Sequence, residues 1–372
     1  MSDVNHRAAA RDGQAIESGP SIVVEINVNN GPISGIAANP DGTRLMVTNY
    51  GRNSVSVIDT GTCRVTGTIS GLNEPFAIAM GSDHGNHAYV STVSTAYDSI
   101  AVIDVFTNSV IATHPLALSV TDLAVSPDGK YVYASRNGAG GADVLDVAVL
   151  DTTTGGVQPI GLTDVCKAPG ITTECVRPSP DGSRLYVATN GPAGGQLAVI
   201  GRKNCARWRG AGVVGTVAIG LPIRDVALSP NGEIAYVAGC APGSGAVIDV
   251  VDTRTGKITG TRKIGEIGGI LTGLTLSGDG DRAYLISDDS ITVLCTLTHD
   301  VIGTVGVANE PSCVVESPDA RHLYIADYSG TVTVAPIASI VASGVEDLAL
   351  ESRDPAVWAV PELPQQLEPA LT

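Results

Sequence analysis

The chain has 372 residues, with 38 acidic against 22 basic side chains and a formal charge of −16. That balance sets it against nucleic-acid binders, whose surfaces must neutralise phosphate. Hydrophobic residues make up 43% and charged ones only 16%, so a packed core is expected rather than disorder.

The first 20 residues carry scattered charges (Asp3, Arg7, Arg11, Asp12, Glu17) and no apolar core of a secretory signal, so 1–20 reads as a flexible segment and the cytoplasm as the default compartment. No apolar run approaches the ~18 residues that span a bilayer. A strand is expected over 22–28, and from there the chain repeats itself. Asn39-Pro40-Asp41-Gly42 precedes Leu45-Met46-Val47-Thr48-Asn49 and then Ser54-Val55-Ser56-Val57-Ile58-Asp59. The same order returns at turn residues Asp83, Asp128, Asp181, Asn231, Asp279 and Asp319, giving seven units.

Each unit reads as four strands. The first is short and made of small residues; a Pro-Asp-Gly type turn follows it. The second holds one aromatic position, filled by Tyr89, Tyr133, Tyr186, Tyr236, Tyr284 and Tyr324, with Met46 in the first unit. The third ends in Asp-Thr, as at Asp59-Thr60, Asp151-Thr152 and Asp252-Thr253. Units of this kind predict an all-β fold, a seven-bladed β-propeller of four-stranded antiparallel blades over 21–337. The seventh unit shows only three clear strands, so the strand over 22–28 is expected to complete the last blade and close the ring.

Met46-Val47-Thr48-Asn49, Tyr89-Val90-Ser91-Thr92 and Tyr186-Val187-Ala188-Thr189 resemble the second strand of the YVTN-type β-propellers. The resemblance covers roughly 21–337 and implies the fold. It implies little about function beyond scaffold or binding roles, with cell envelope or secreted as the family's alternative compartment.

Candidate site residues are those that break the repeat rule. In or beside the first strands, where small residues belong, stand Asp122, Glu174, Arg177, Arg224, Asp225 and Glu316. Charges near the axis must be paired or wet. Arg177 is therefore expected to pair with Asp122 or Asp225 on an adjacent blade. Glu174, Arg224 and Asp225, with Asp122 and Arg136, are the candidate ligand contacts at the channel mouth.

Glycine-rich loops follow the second strands of three consecutive units, at 136–141, 190–195 and 239–245, and share a rim with the 162–173 connector. They lack the strand-then-helix context of a phosphate cradle. Seven cysteines show no metal or redox spacing; Cys166 and Cys175 are close enough for a loop-closing disulfide in an oxidising compartment. Asp83, His84 and His87 read as a solvated turn rather than a metal site. The basic turn 202–209, with Trp208 among four cations, has the look of a single-stranded nucleic-acid contact. Residues 338–372 form an extension, a short helix over 338–350 and then a proline-rich tail.

These features favour a non-catalytic binding or scaffold propeller that uses one face for a protein or a small polar ligand, with no cofactor or metal. An axial hydrolase of the propeller lactonase kind, with Glu174, Arg224 and Asp225, and the nucleic-acid contact are the alternatives.

Overall fold

A computed structural model describes residues 23–28, 31–81, 86–116, 119–137, 145–162, 169–202, 208–241, 245–265, 267 and 270–340. Among these the chain forms seven four-stranded antiparallel sheets. Six use four consecutive strands. The seventh is ordered Val24–Asn27, Thr331–Pro336, His322–Asp327, Pro311–Glu316, so the N-terminal strand completes the last blade. Its register sets Val24 opposite Val334 and Asn27 opposite Thr331. The expected strand over 22–28 is thus a four-residue strand in the expected place. A helix begins at 337–340, and the rest of the expected 338–350 helix lies outside the described residues.

The aromatic position of the second strand makes the seams between blades. Met46, Tyr89, Tyr133, Tyr186, Tyr236, Tyr284 and Tyr324 are all at most 5% exposed. Each belongs to a separate apolar cluster that joins its blade to the next, as Tyr133 does with Leu185, Val187 and Ile200 and Tyr324 with Ile33, Leu45 and Ile58. Period-two alternation sends one face of each sheet into each seam.

The turn after the inner strand is held by its own side chains. Ser126 Oγ donates to Asp128 at 2.7 Å and accepts the Tyr131 N–H at 2.9 Å; Asn231 replaces the acid in blade 5 with the same bonds. Such hydrogen bonds to the charged form hold Asp41, Asp181, Asp279 and Asp319 below the usual carboxylate range. The threonine that follows the third strand closes on the same turn. Thr60, Thr152, Thr253 and Thr296 hydroxyls donate to the carbonyls of Gly42, Gly129, Gly232 and Gly280.

These turns also interlock between blades. The turn glycine takes a positive φ and packs on the turn proline of the preceding blade: Gly42 on Pro318, Gly182 on Pro127, Gly232 on Pro180, Gly280 on Pro230. In blade 7 the same position is Ala320 at φ +57°, and blade 6 offers Gly278 in place of proline in the cleft they share. The extra methyl is thus matched by a missing ring. A Cβ at Gly280 would lie 2.5 Å from Pro230 Cδ at φ +80°. Gly280→Ala should therefore cost about 2–4 kcal/mol, whereas Ala320→Gly should leave stability unchanged or raise it by up to about 1 kcal/mol. Urea midpoints of the two variants check the pair, and similar midpoints would show that the interlock does not matter.

Candidate functional site

All seven inner strands carry a bulge-like shift of register near their start, from Ile33/Gly35 in blade 1 to Pro311/Cys313 in blade 7. The bulge turns the second residue toward the axis. These second residues, Ser34, Phe76, Thr121, Glu174, Arg224, Thr272 and Ser312, line the mouth of a central channel of about 770 Å³. In three blades a hydroxyl there is tied back to its own sheet. Thr121, Thr272 and Ser312 each donate at 3.2 Å to a second-strand carbonyl, of Ser135, Ile286 and Ala326. Ser34 reaches the Pro75 carbonyl of the next blade at 3.1 Å.

Glu174 and Arg224 depart from this pattern on adjacent blades. Glu174 is half-buried and accepts from Thr172 Oγ1 at 3.0 Å; Arg224 is exposed and its Nε approaches Cys240 Sγ at 3.5 Å. Among the described residues neither takes part in an ion pair. Two opposite charges therefore stand at one level of the mouth, available to solvent.

Deeper in the channel the charges are paired. Asp122 and Asp225 occupy the position held by Gly35 and Gly273 in blades 1 and 6, and Arg177 the one held by Ala37, Ala79, Ala124 and Ala227. Arg177 bonds both acids, Asp122 through Nη1 and Asp225 through Nη2 at 2.7 Å, and donates through Nε to the Val226 carbonyl at 2.9 Å. Asp122 also accepts the Val176 N–H at 3.1 Å, and Asp225 accepts that of Leu274 at 3.1 Å. One guanidinium and two carboxylates thus stitch blades 3 to 6. Burial at this waist raises the Asp122 carboxyl above its usual range; Arg177 opposes the shift and Asp225 adds to it. Burial works against the Arg177 charge, but the two carboxylates outweigh it and hold the guanidinium firmly protonated.

Other expectations are corrected. Arg136 is no ligand contact: it is 9% exposed and bound bidentately to Asp146, its cross-strand neighbour, at 2.7 and 2.6 Å. Cys175 is a buried free thiol, its pKa pushed well up by burial, and Cys166, its suggested partner, lies outside the described residues. Asp83 and His84 also lie outside them. Of the glycine-rich loops, 138–144 and 242–244 fall outside, and the middle one is glycine-rich for packing. A Cβ at Gly194 would meet the Gly220 carbonyl at 2.1 Å, and one at Gly195 that of Leu221 at 2.3 Å.

Trp208 of the basic turn is not open for stacking. Trp208 is 2% exposed, set edge-on to Tyr133 at 5.3 Å, with the Arg202 guanidinium 4.7 Å from its ring centre and 5.7 Å from that of Tyr131. An indole enclosed in this way cannot stack on a base; residues 203–207 are outside the described set. Phe76, 42% exposed, is a mouth residue that the repeat pattern did not mark. Its signal was an aromatic at the second position of an inner strand, where hydroxyls prevail.

No helix among the described residues is long and apolar enough to cross a membrane. Seven radial sheets around a polar-mouthed channel, sealed by the N-terminal strand, define a seven-bladed β-propeller, and the chain belongs to the family of seven-bladed β-propeller proteins. It is 57% identical, over the full length of both chains, to a seven-bladed β-propeller protein of Mycobacterium tuberculosis. A second such protein, from Mycolicibacterium smegmatis, is 37% identical over 74% of this chain and 70% of its own. Among solved structures, hydrazine synthase of Kuenenia stuttgartiensis aligns with a TM-score of 0.71 at 22% identity, over 88% of this chain and 99% of that one, a likeness of fold alone. No family model matches the chain.

Proposed function

We propose that this chain is a non-catalytic binding propeller of YVTN type that takes a small polar ligand at the mouth of its central channel. The observation that carries the reading is the pair Glu174 and Arg224. They stand where other blades place a tethered hydroxyl, and neither is in an ion pair among the described residues. A carboxylate and a guanidinium on adjacent blades, with no ion-pair partner among the described residues, suit a ligand that presents both signs or a mixture of donors and acceptors. The hydrolase alternative is the weaker one, because Asp122 and Asp225 are committed to Arg177 and to backbone amides rather than open to a substrate.

Thermal-shift screening of amino, hydroxy and keto acids, followed by calorimetry, tests this. Ligands that stabilise the wild type should lose at least about tenfold in affinity to the Glu174→Gln/Arg224→Gln double variant, whose own stability should change by less than ~0.5 kcal/mol per site. Binding that survives the double substitution would place the ligand elsewhere, and a screen without any stabilising compound would leave the ring a scaffold.

A further inference from the structure

We infer that the same face, over blades 7, 1 and 2, is a docking surface for a cationic peptide segment of a partner protein. Six of the ten tyrosines fill the seams between blades. Of the other four, three sit in the loops between second and third strands of three neighbouring blades: Tyr328 in blade 7, Tyr50 in blade 1 and Tyr97 in blade 2. They are 50%, 40% and 51% exposed. Phe76 adds a fourth ring, linked to Tyr50 edge-to-face at 6.4 Å, so the aromatic sector begins at the channel mouth and runs outward. Among the described residues Phe106 is the one other exposed aromatic, and it lies in a turn on the opposite face.

Rings left in water in one sector of an aromatic-poor protein are what binding surfaces use, since each offers a large rigid face at little entropic cost. The charges around them select the partner. Glu74 accepts from the Tyr50 hydroxyl at 3.1 Å. Beside Tyr328 lies a groove of about 540 Å³ bordered by Asp288, Asp289, Asn309 and Glu310. Arg52 is the one cation in the described loops of this sector. Tyrosine faces next to carboxylates accept guanidinium and ammonium groups through cation–π contact and charge-assisted hydrogen bonds. Phosphate-bearing partners are repelled by this charge, and a second copy of the chain would bring the same acids against themselves.

The probe is a fluorescent peptide of about twelve residues repeating Gly-Arg-Tyr, with a Gly-Glu-Tyr counterpart, titrated by anisotropy at two salt concentrations. The wild type should bind the arginine peptide, more weakly at high salt, and not the glutamate one. Tyr50→Ser/Tyr97→Ser/Tyr328→Ser keeps the net charge and should weaken binding about tenfold or more. Phe106→Ser and the Glu174→Gln/Arg224→Gln variant should leave it unchanged, which separates this surface from the ligand mouth. If the triple variant unfolds, Tyr97→Ser and Tyr328→Ser are measured singly. Equal binding by these variants would reduce the effect to general charge attraction, and no binding by the wild type would remove the surface. A wild-type dimer that the tyrosine changes dissolve would make a second copy the occupant; each of these results overturns the inference.

Discussion

Arg177→Leu should lower the stability of the propeller by about 3 kcal/mol, because it leaves two carboxylates facing each other across the channel wall without their shared cation. The loss should fall short of that for a fully enclosed pair, since the Arg177 side chain is 28% exposed to channel water. Replacing all three groups, as Arg177→Leu/Asp122→Asn/Asp225→Asn, should recover most of it, because no buried charge then lacks a partner. Urea unfolding of the single and triple variants measures both effects. A single variant that melts like the wild type would mean that the stitch across blades 3 to 6 contributes nothing.

Removing the N-terminal strand should have the larger effect. Deleting the chain through Val28 takes away four cross-strand pairings, exposes Thr331–Pro336 as a fresh sheet edge and strips Ile26 and Val28, each 4% exposed, from the seam between blades 7 and 1. Two buried aliphatic side chains alone contribute about 3–6 kcal/mol, and an unpaired edge invites association. The truncated chain is expected to lose its single cooperative transition and to aggregate on mild heating. A sharp unfolding transition near that of the full chain, followed by circular dichroism and light scattering, would show that the ring holds without this closure.

The architecture was legible because two residue types keep a fixed distance. The turn acid recurs in six of the seven units, with Asn231 in the fifth, and the second-strand tyrosine in six, with Met46 in the first, and each has a structural duty. The axial charges could be marked because Asp122, Arg177 and Asp225 stand where neighbouring blades carry glycine or alanine. That Arg177 would reach both acids at once was not legible, since this depends on the span between inner strands across the ring. Arg136 was misjudged because its partner Asp146 lies beyond a loop, and only the register sets the two opposite each other. Trp208 looked available because outer turns are usually wet; here the indole fills the seam behind Tyr133. The exposed tyrosines escaped notice because Tyr328 and Tyr50 are far apart in the chain and stand on neighbouring blades only when the ring closes.

That closure also governs the order of events during synthesis. The seam between blades 7 and 1 joins Ile33, Leu45 and Ile58, made early in the ring, to Tyr324, Val332 and Val334, made late in it. Until those late residues emerge, the first blade has an apolar flank with nothing to cover it, and its N-terminal strand has no sheet to join. Folding of the ring as a whole therefore waits for the C-terminal blade, as contacts so distant in sequence form slowly. A half-made chain is the form most exposed to aggregation and most in need of a chaperone.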